Sequence, residues 1–322
     1  MIKLVGKNAE MIHENLKSWQ LTDGNGTEGD SLVLALSSEG INDLPDKGEK
    51  YEVYLNDVFR DDFQISKRKA TLTPREVRLV LSVAKFNVTD SSGFREPKSA
   101  SWDNASLYQI VSDCVTEHGY SVFIHPRLEK IKIEHIDRTD ESTGPFLKRL
   151  AKMYDSVAKP VNGVYVLAPK GESKSASGKP IETITLSLSE NEQERKLISV
   201  DIELDGRNTF NGVRAHYVSS DDGTRHEVSV GTSSFKKIRK DCNSKSEAEQ
   251  VAAAELRKLS REGRKLSISA PANARAFCEG IVVLDASFPA PFAGSSSIDS
   301  LVFNGRGRQP ASMSIQATLL GD

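Results

Sequence analysis

The chain has 322 residues, enough for two or three domains and a sizeable core. Its 43 Lys and Arg against 45 Asp and Glu leave a net charge of −2, so no overall field draws nucleic acid or an acidic membrane surface. Cys114, Cys242 and Cys278 are odd in number and far apart, and they fit neither a metal spacing nor a dense disulfide framework, which points to synthesis in a reducing compartment. No apolar run approaches ~20 residues, so no bilayer-spanning helix is expected, and the apolar start over residues 1–6 is too short for a signal peptide.

Residues 16–22 and 31–36 read as strands around a turn-rich tip over 23–30. Residues 51–58 alternate polar and apolar, and 63–65 and 77–86 continue the pattern. In the last of these Val77, Leu79, Leu81 and Val83 share one face, and Arg78, Val80, Ser82 and Ala84 the other. Short strands with polar tips predict a small barrel or sandwich. Ser91-Ser92-Gly93 ends it.

A helix follows, with Asn104 or Ser106 as cap, Leu107, Ile110, Val111, Cys114 and His118 on one stripe, and Gly119 as its stop. Strands are expected over 121–124 and 130–136. A second helix opens at Thr143 as cap, with Pro145 in its first turn. Phe146, Leu147, Leu150, Ala151 and Tyr154 fall on one face, and Lys148, Arg149 and Lys152 on the other. Strands 157–161 and 164–167 flank Asn162-Gly163, a strong hairpin signal because both central residues of a type I′ turn need positive φ. Residues 102–167 thus form a small α/β unit whose apolar faces must dock on something larger.

Residues 170–179 are a polar linker by composition. Strands resume over 181–188, 199–204 and 210–217, with Asp221-Asp222-Gly223 turning the chain back into 226–230. Ser244 and Glu247 form a capping-box pattern for a helix with Ala248, Val251, Ala252, Leu256 and Leu259 on its face, closed by Gly263. Residues 266–269, 281–284, 298–303 and 312–319 complete the strands. The fold class is β-rich α+β, two β regions bracketing the α/β unit.

Signatures of catalysis are missing: no Gly-x-Ser-x-Gly elbow, no phosphate-binding loop, no Cys-x-x-Cys. His13-Glu14 lacks the second His of a zinc helix. His125 and His135, and likewise His216 and His226, stand where hairpin partners face each other, yet no third ligand is spaced to complete a metal site. Asp61-Asp62 and Asp221-Asp222 are neighbours that a strand would point to opposite faces, so neither is an acid/base pair. Lys67-Arg68-Lys69 and the run Lys236-Lys237-Ile238-Arg239-Lys240 are basic, but only Phe235 offers an aromatic neighbour for a base to stack on. They read as solvated loops or as charge that complements another subunit. Gly305-Arg306-Gly307-Arg308 reads as a turn. No catalytic, cofactor-binding or metal residue is assigned, and no cofactor is expected.

Several segments resemble the phage late control gene D family, the central hubs of contractile tails, and the similar part of type VI secretion spike proteins. Glu141, Ser142, Phe146, Leu147, Arg149, Leu150 and Ala151 followed by Asn162-Gly163 match its helix-and-hairpin segment, with Thr143 where the family usually has Asp. Pro45 and Gly48 resemble its turn before a barrel strand. Arg95, Lys98, Ser101 and Trp102 resemble its lead into a helix, and Phe210, Gly212, Val213, Ala215 and Tyr217 a later strand. The family's closing Asp-Gly-x-Trp and His are not found in residues 298–308.

The resemblance implies two barrel-like tube domains, at 1–93 and 180–322 (strands crossing between them allowed), around a small α/β domain at 98–169. It implies a structural, non-enzymatic hub: a symmetry adapter that joins the hexameric tail tube to the trimeric spike around a central channel. The implied partners are two further copies in a homotrimer, the trimeric tail spike, the tail tube protein and other baseplate proteins, with no sequence-specific nucleic acid and no membrane. The implied place is the baseplate of a virion or tail particle, assembled in the bacterial host cytoplasm. The alternative is a tail-associated cell-wall hydrolase or its binding module. A transcription regulator is disfavoured, because no helix-turn-helix is legible.

Overall fold

The computed structural model describes residues 1–24, 30–39, 43–73, 75–83, 93–161, 163–171, 181–188, 199–204, 210–219, 223–261, 264–290 and 292–320. Contacts divide the chain into two compact units. The first holds Met1–Ser91, Ile181–Ile202 and Leu266–Ala317; the second holds Ser92–Pro180, Glu203–Lys265 and Thr318–Asp322. The stretch from 180 onward is therefore shared between the units.

The first unit begins with β1 (Ile2–Val5) and a short helix, α1 (Ala9–Asn15). The sequence reading did not foresee α1, since it buries only Ile12 and so has little periodicity to read. Strands β2 (Leu16–Gly24), β3 (Ser31–Ser37), β4 (Lys50–Leu55), β5 (Val58–Leu72) and β6 (Arg75–Val83) follow. Asn56 and Asp57 both take positive φ, which lets β4 turn directly into β5.

The second unit opens with β7 (Lys98–Ser106), α2 (Leu107–Val115), a 3-10 turn (Thr116–His118), β8 (Ser121–Ile124), α3 (Pro126–Glu129) and β9 (Lys132–Glu141). It continues with α4 (Thr143–Met153), β10 (Ser156–Val161) and β11 (Val164–Pro169). Ser106 caps α2, its side chain accepting from Gln109 N–H at 3.1 Å. At α4 the N-cap is Ser142, not Thr143. Thr143 is buried instead, and its Oγ1 accepts from Nη2 of buried Arg138 at 3.2 Å. The apolar face of α4 is buried as its spacing predicts, and Trp102 stacks on Phe146 with ring centroids 5.3 Å apart. Gly163 has φ 80, while Asn162 lies outside the described residues.

The chain re-enters the first unit for β12 (Ile184–Leu186) and for β13 (Ser199–Leu204) as far as Ile202. It returns to the second for β14 (Gly212–Val218), β15 (Arg225–Gly231), β16 (Phe235–Lys237) and α5 (Lys245–Arg261). It closes the first with β17 (Arg264–Pro271), β18 (Ile281–Leu284), β19 (Gly294–Arg306) and β20 (Gln309–Leu319). The linker residues 172–179, Asp221-Asp222 and Gly263 lie outside the described residues.

One sheet runs through the first unit in the order β1-β4-β5-β6-β3-β2-β19-β20-β17-β13, with β18 beside β19 and β12 beside β18. Its centre joins distant parts of the sequence: β2 pairs antiparallel with β19, setting Leu21 opposite Phe303 and Trp19 opposite Gly305. A Cβ on Gly305 would lie 2.2–2.4 Å from the Trp19 indole, so glycine is what allows the ring to lie across the strand. Alternate residues of these strands, among them Leu32, Leu34, Phe63, Leu79, Leu81, Leu301 and Ile315, fill one core. Among the described residues no sheet closes into a barrel, so the two expected barrels are not what the strand ladders draw. Period-2 alternation reports a buried face, and says nothing of which edges pair.

In the second unit β9 pairs antiparallel with β7, while β8 runs parallel beside β11, itself the hairpin partner of β10. A third sheet, β15-β14-β16, is covered by α5 through Val213, Ala215, Ala248, Ala252 and Leu259. Half of the capping box at α5 forms: Glu247 N–H donates to Ser244 Oγ at 3.2 Å, while Glu247 Oε2 accepts from Asn243 N–H at 2.9 Å, one residue before the cap. No helix of the described residues is long and apolar enough to cross a membrane.

Leu150 is fully buried on α4 and Lys152 is exposed. Leu150→Ala is expected to cost about 2–5 kcal/mol in urea melts. Lys152→Ala should stay within about ±0.5 kcal/mol. Equal effects would remove the docked-face assignment.

Candidate interaction surfaces

The titratable residues singled out in the sequence are dispersed. His125 is the N-cap of α3, its Nδ1 accepting from Arg127 N–H at 3.3 Å, whereas His135 lies exposed on β9. They do not face each other, because β8 and β9 belong to different sheets. His216 and His226 do lie on paired strands, but one residue out of step. His216 sits opposite Glu227, with Nε2 3.2 Å from its carboxylate, and His226 stacks on Tyr217. His135 sits 2.6 Å from Asp103 and 3.1 Å from Asp137, and these hydrogen bonds raise its pKa. Among the described residues no group of three His, Cys, Asp or Glu is placed to hold a metal.

His13, read as a chance neighbour of Glu14, has a structural task. Its Nε2 accepts the Leu4 N–H at 2.9 Å and pins α1 to β1. Burial, and then Arg308, lower its pKa. Asp61 is buried and Asp62 exposed, on opposite faces of β5 as alternation requires. Lys67-Arg68-Lys69 lie on β5 rather than in a loop. Lys236 is on β16 and pairs with Glu255 of α5 at 2.8 Å, while Arg214 lies over the Phe235 ring. Gly305 and Arg306 are the end of β19, so only Gly307 and Arg308 form the turn. Burial pushes the thiols of Cys114 and Cys242 up to about 11, which leaves both unreactive.

The most constrained polar group is one the sequence reading passed over. Arg60 on β5 has a side chain only 3% exposed. Its Nη1 donates to the carbonyls of Ala274 and Ala276 at 3.1 and 2.8 Å, and its Nη2 to Asp23 Oδ2 at 3.0 Å. The same carboxylate oxygen accepts Cys278 N–H at 2.9 Å. The guanidinium lies 3.8 Å over the Phe277 ring. Burial lowers its pKa and Asp23 raises it. This charge is walled in by protein groups, so it organises the fold and is closed to solutes. A buried Arg among strand residues leaves no periodic trace, and only its partners, far away in sequence, give it away.

Surface is on offer at the edges of the long sheet. The β4 ladder ends at Lys50 opposite Gln64, and Ile65 is held by Gly48 and Glu49. Beyond it, residues 67–72 pair with β6 alone among the described residues, and Leu72 is 85% exposed. At one end of the strand order β13 has, among the described residues, a neighbour on one side only, β17.

The chain is 29% identical over 216 residues to a probable baseplate hub protein of Escherichia phage P2; the match covers 66% of this chain and 54% of that protein. A tail protein from Neisseria meningitidis MC58 superposes with TM-score 0.70 at 12% identity, covering 98% of this chain and 95% of that one. The chain resembles probable phage baseplate hub proteins in sequence and a tail protein in fold. The resemblance drawn from scattered motifs is thereby borne out. An E. coli type VI secretion component, described as similar to the T4 tail proteins gp27 and gp5, superposes with TM-score 0.59 at 11% identity, over 96% of this chain and 74% of that one. The chain spans about half the length of the curated relative it matches. No family model matches it.

Two outcomes test these assignments. Arg60→Met leaves the Asp23 carboxylate buried without its partner, so a loss of about 3–5 kcal/mol is expected in urea melts; a silent substitution would mean that the pair does not hold the sheet together. For His13 the folded pKa lies below the ordinary 6.5, so the neutral ring is the one folding favours. Its contribution is complete above pH 6.5 and fades as pH falls below that value through the folded pKa. His13→Gln keeps an acceptor for Leu4 N–H and has nothing to protonate, so it should lose less stability than the parent chain between neutral and mildly acidic pH. Parallel pH curves for the two chains would refute this.

Proposed function

We propose that the chain is a structural subunit of a contractile-tail baseplate hub, the adapter that joins the tail tube to the spike. The observation that carries this reading is the 216-residue match to a protein named as a probable baseplate hub. The fold agreement with a tail protein over nearly the whole chain supports it. In the same reading the chain acts as a homotrimer around a central channel, and a barrel-like tube forms only when protomers come together, since the long sheet of one chain closes into no barrel among the described residues. A hexameric tube and a trimeric spike are both met if each of three copies presents two similar faces. The implied partners are the trimeric tail spike, the tail tube protein and other baseplate proteins, in a virion or tail particle assembled in the bacterial host cytoplasm. The role is mechanical rather than enzymatic, in keeping with the relative's name.

Native mass spectrometry of the chain, alone and co-expressed with its proposed spike partner, tests the reading. Three copies in at least one condition are expected. A monomer or dimer in both would overturn it.

A further inference from the structure

Two open strand edges of opposite charge occur in the long sheet. Residues 67–72 of β5 have β6 on one side and no strand on the other among the described residues. Lys67 and Lys69 project from this edge, exposed and without an ion pair among the described residues. Arg68 is tied to the Pro45 carbonyl at 2.9 Å. The second edge is β13, of sequence Ser-Val-Asp-Ile-Glu-Leu. Asp201 and Glu203 share its exposed face and also lack an ion pair among the described residues, while Val200 and Ile202 are half-buried. The two edges have the same length.

We infer that the basic edge of β5 in one copy of this chain pairs with the acidic edge of β13 in the next copy, extending the sheet from protomer to protomer. The inference rests on the hub reading and specifies which surfaces meet in it. Unpaired backbone N–H and C=O groups at an edge are a template for another strand. Strand alternation can set Lys67 and Lys69 on the face of Asp201 and Glu203, and then Ala70 and Leu72 fall on the face of Val200 and Ile202. The exposed Leu72 side chain gains an apolar neighbour this way.

The occupant is a second copy because the chain itself carries both complements. Within one chain these edges occupy separate places in the strand order and cannot reach each other through the sheet. The charges also select the arrangement. Two β5 edges repel each other, as do two β13 edges, so a two-fold pairing of like edges is disfavoured while a head-to-tail pairing is favoured. Head-to-tail contacts close into rings when the rotation allows.

The test is charge reversal and swap in the full chain, read by native mass spectrometry in the condition where the parent chain assembles. Lys67→Glu with Lys69→Glu, and separately Asp201→Lys with Glu203→Lys, should each weaken assembly by about tenfold or more. All four changes together should restore it, because every interface then carries swapped partners. Each side chain is exposed, so an unchanged thermal midpoint confirms folding. Assembly unaffected by either reversal would overturn the inference and leave the hub reading intact. Reversals that spare the trimer but release a co-expressed spike or tube protein would also overturn it, assigning the edge to that partner. A parent chain that stays monomeric in every condition would overturn the hub reading itself, and the inference with it.

Discussion

The Arg60–Asp23 pair is the interaction on which the first unit depends. It joins β5, β2 and the segment around Ala274, Ala276 and Cys278, which are far apart in sequence. A buried charge has a large desolvation cost, offset only when every donor finds an acceptor and the geometry is tight. Here the guanidinium meets two carbonyls and a carboxylate, and aromatic rings flank it. Such a network admits one arrangement of its elements, while an apolar core of similar volume would tolerate several. Apolar burial supplies the bulk of the stability; the pair fixes which strands lie where.

The second unit solves a related problem with another arginine. Arg138 is buried, and its Nε donates to the Glu141 carbonyl at 2.6 Å while Nη2 reaches Thr143. The Glu141 carboxylate in turn accepts from Arg149 at 2.9 Å, in the second turn of α4. The strand end and the first two turns of α4 are thus tied to one another, and the Glu141–Arg149 pair of the readable sequence cluster is one of those ties.

Local structure was largely legible. The faces of α2, α4 and α5, the strand β8 and the capping box at Ser244 all follow from spacing and residue type, since each is decided by neighbours within a few residues. Connectivity was not. Nothing local marks that residues 18–24 pair with 300–306, or that β8 aligns with β11 rather than β9. The placing of His216 beside Glu227 instead of His226 turns on a one-residue register, which alternation cannot specify. The open edges were equally silent: Lys67-Arg68-Lys69 looked like a loop because three successive charges hide the strand that carries them.

The central seam between β2 and β19 has a consequence for synthesis. Trp19 and Leu21 leave the ribosome well before Phe303 and Gly305, their partners in the strand that covers that edge. At about 5–20 residues per second, the interval is on the order of tens of seconds. Through that time an apolar strand with free hydrogen-bonding groups stands open to other nascent chains. The glycine that admits the indole ring thus closes a gap that has stood open since β2 was made, and a host factor that shields such edges would protect the chain through that interval.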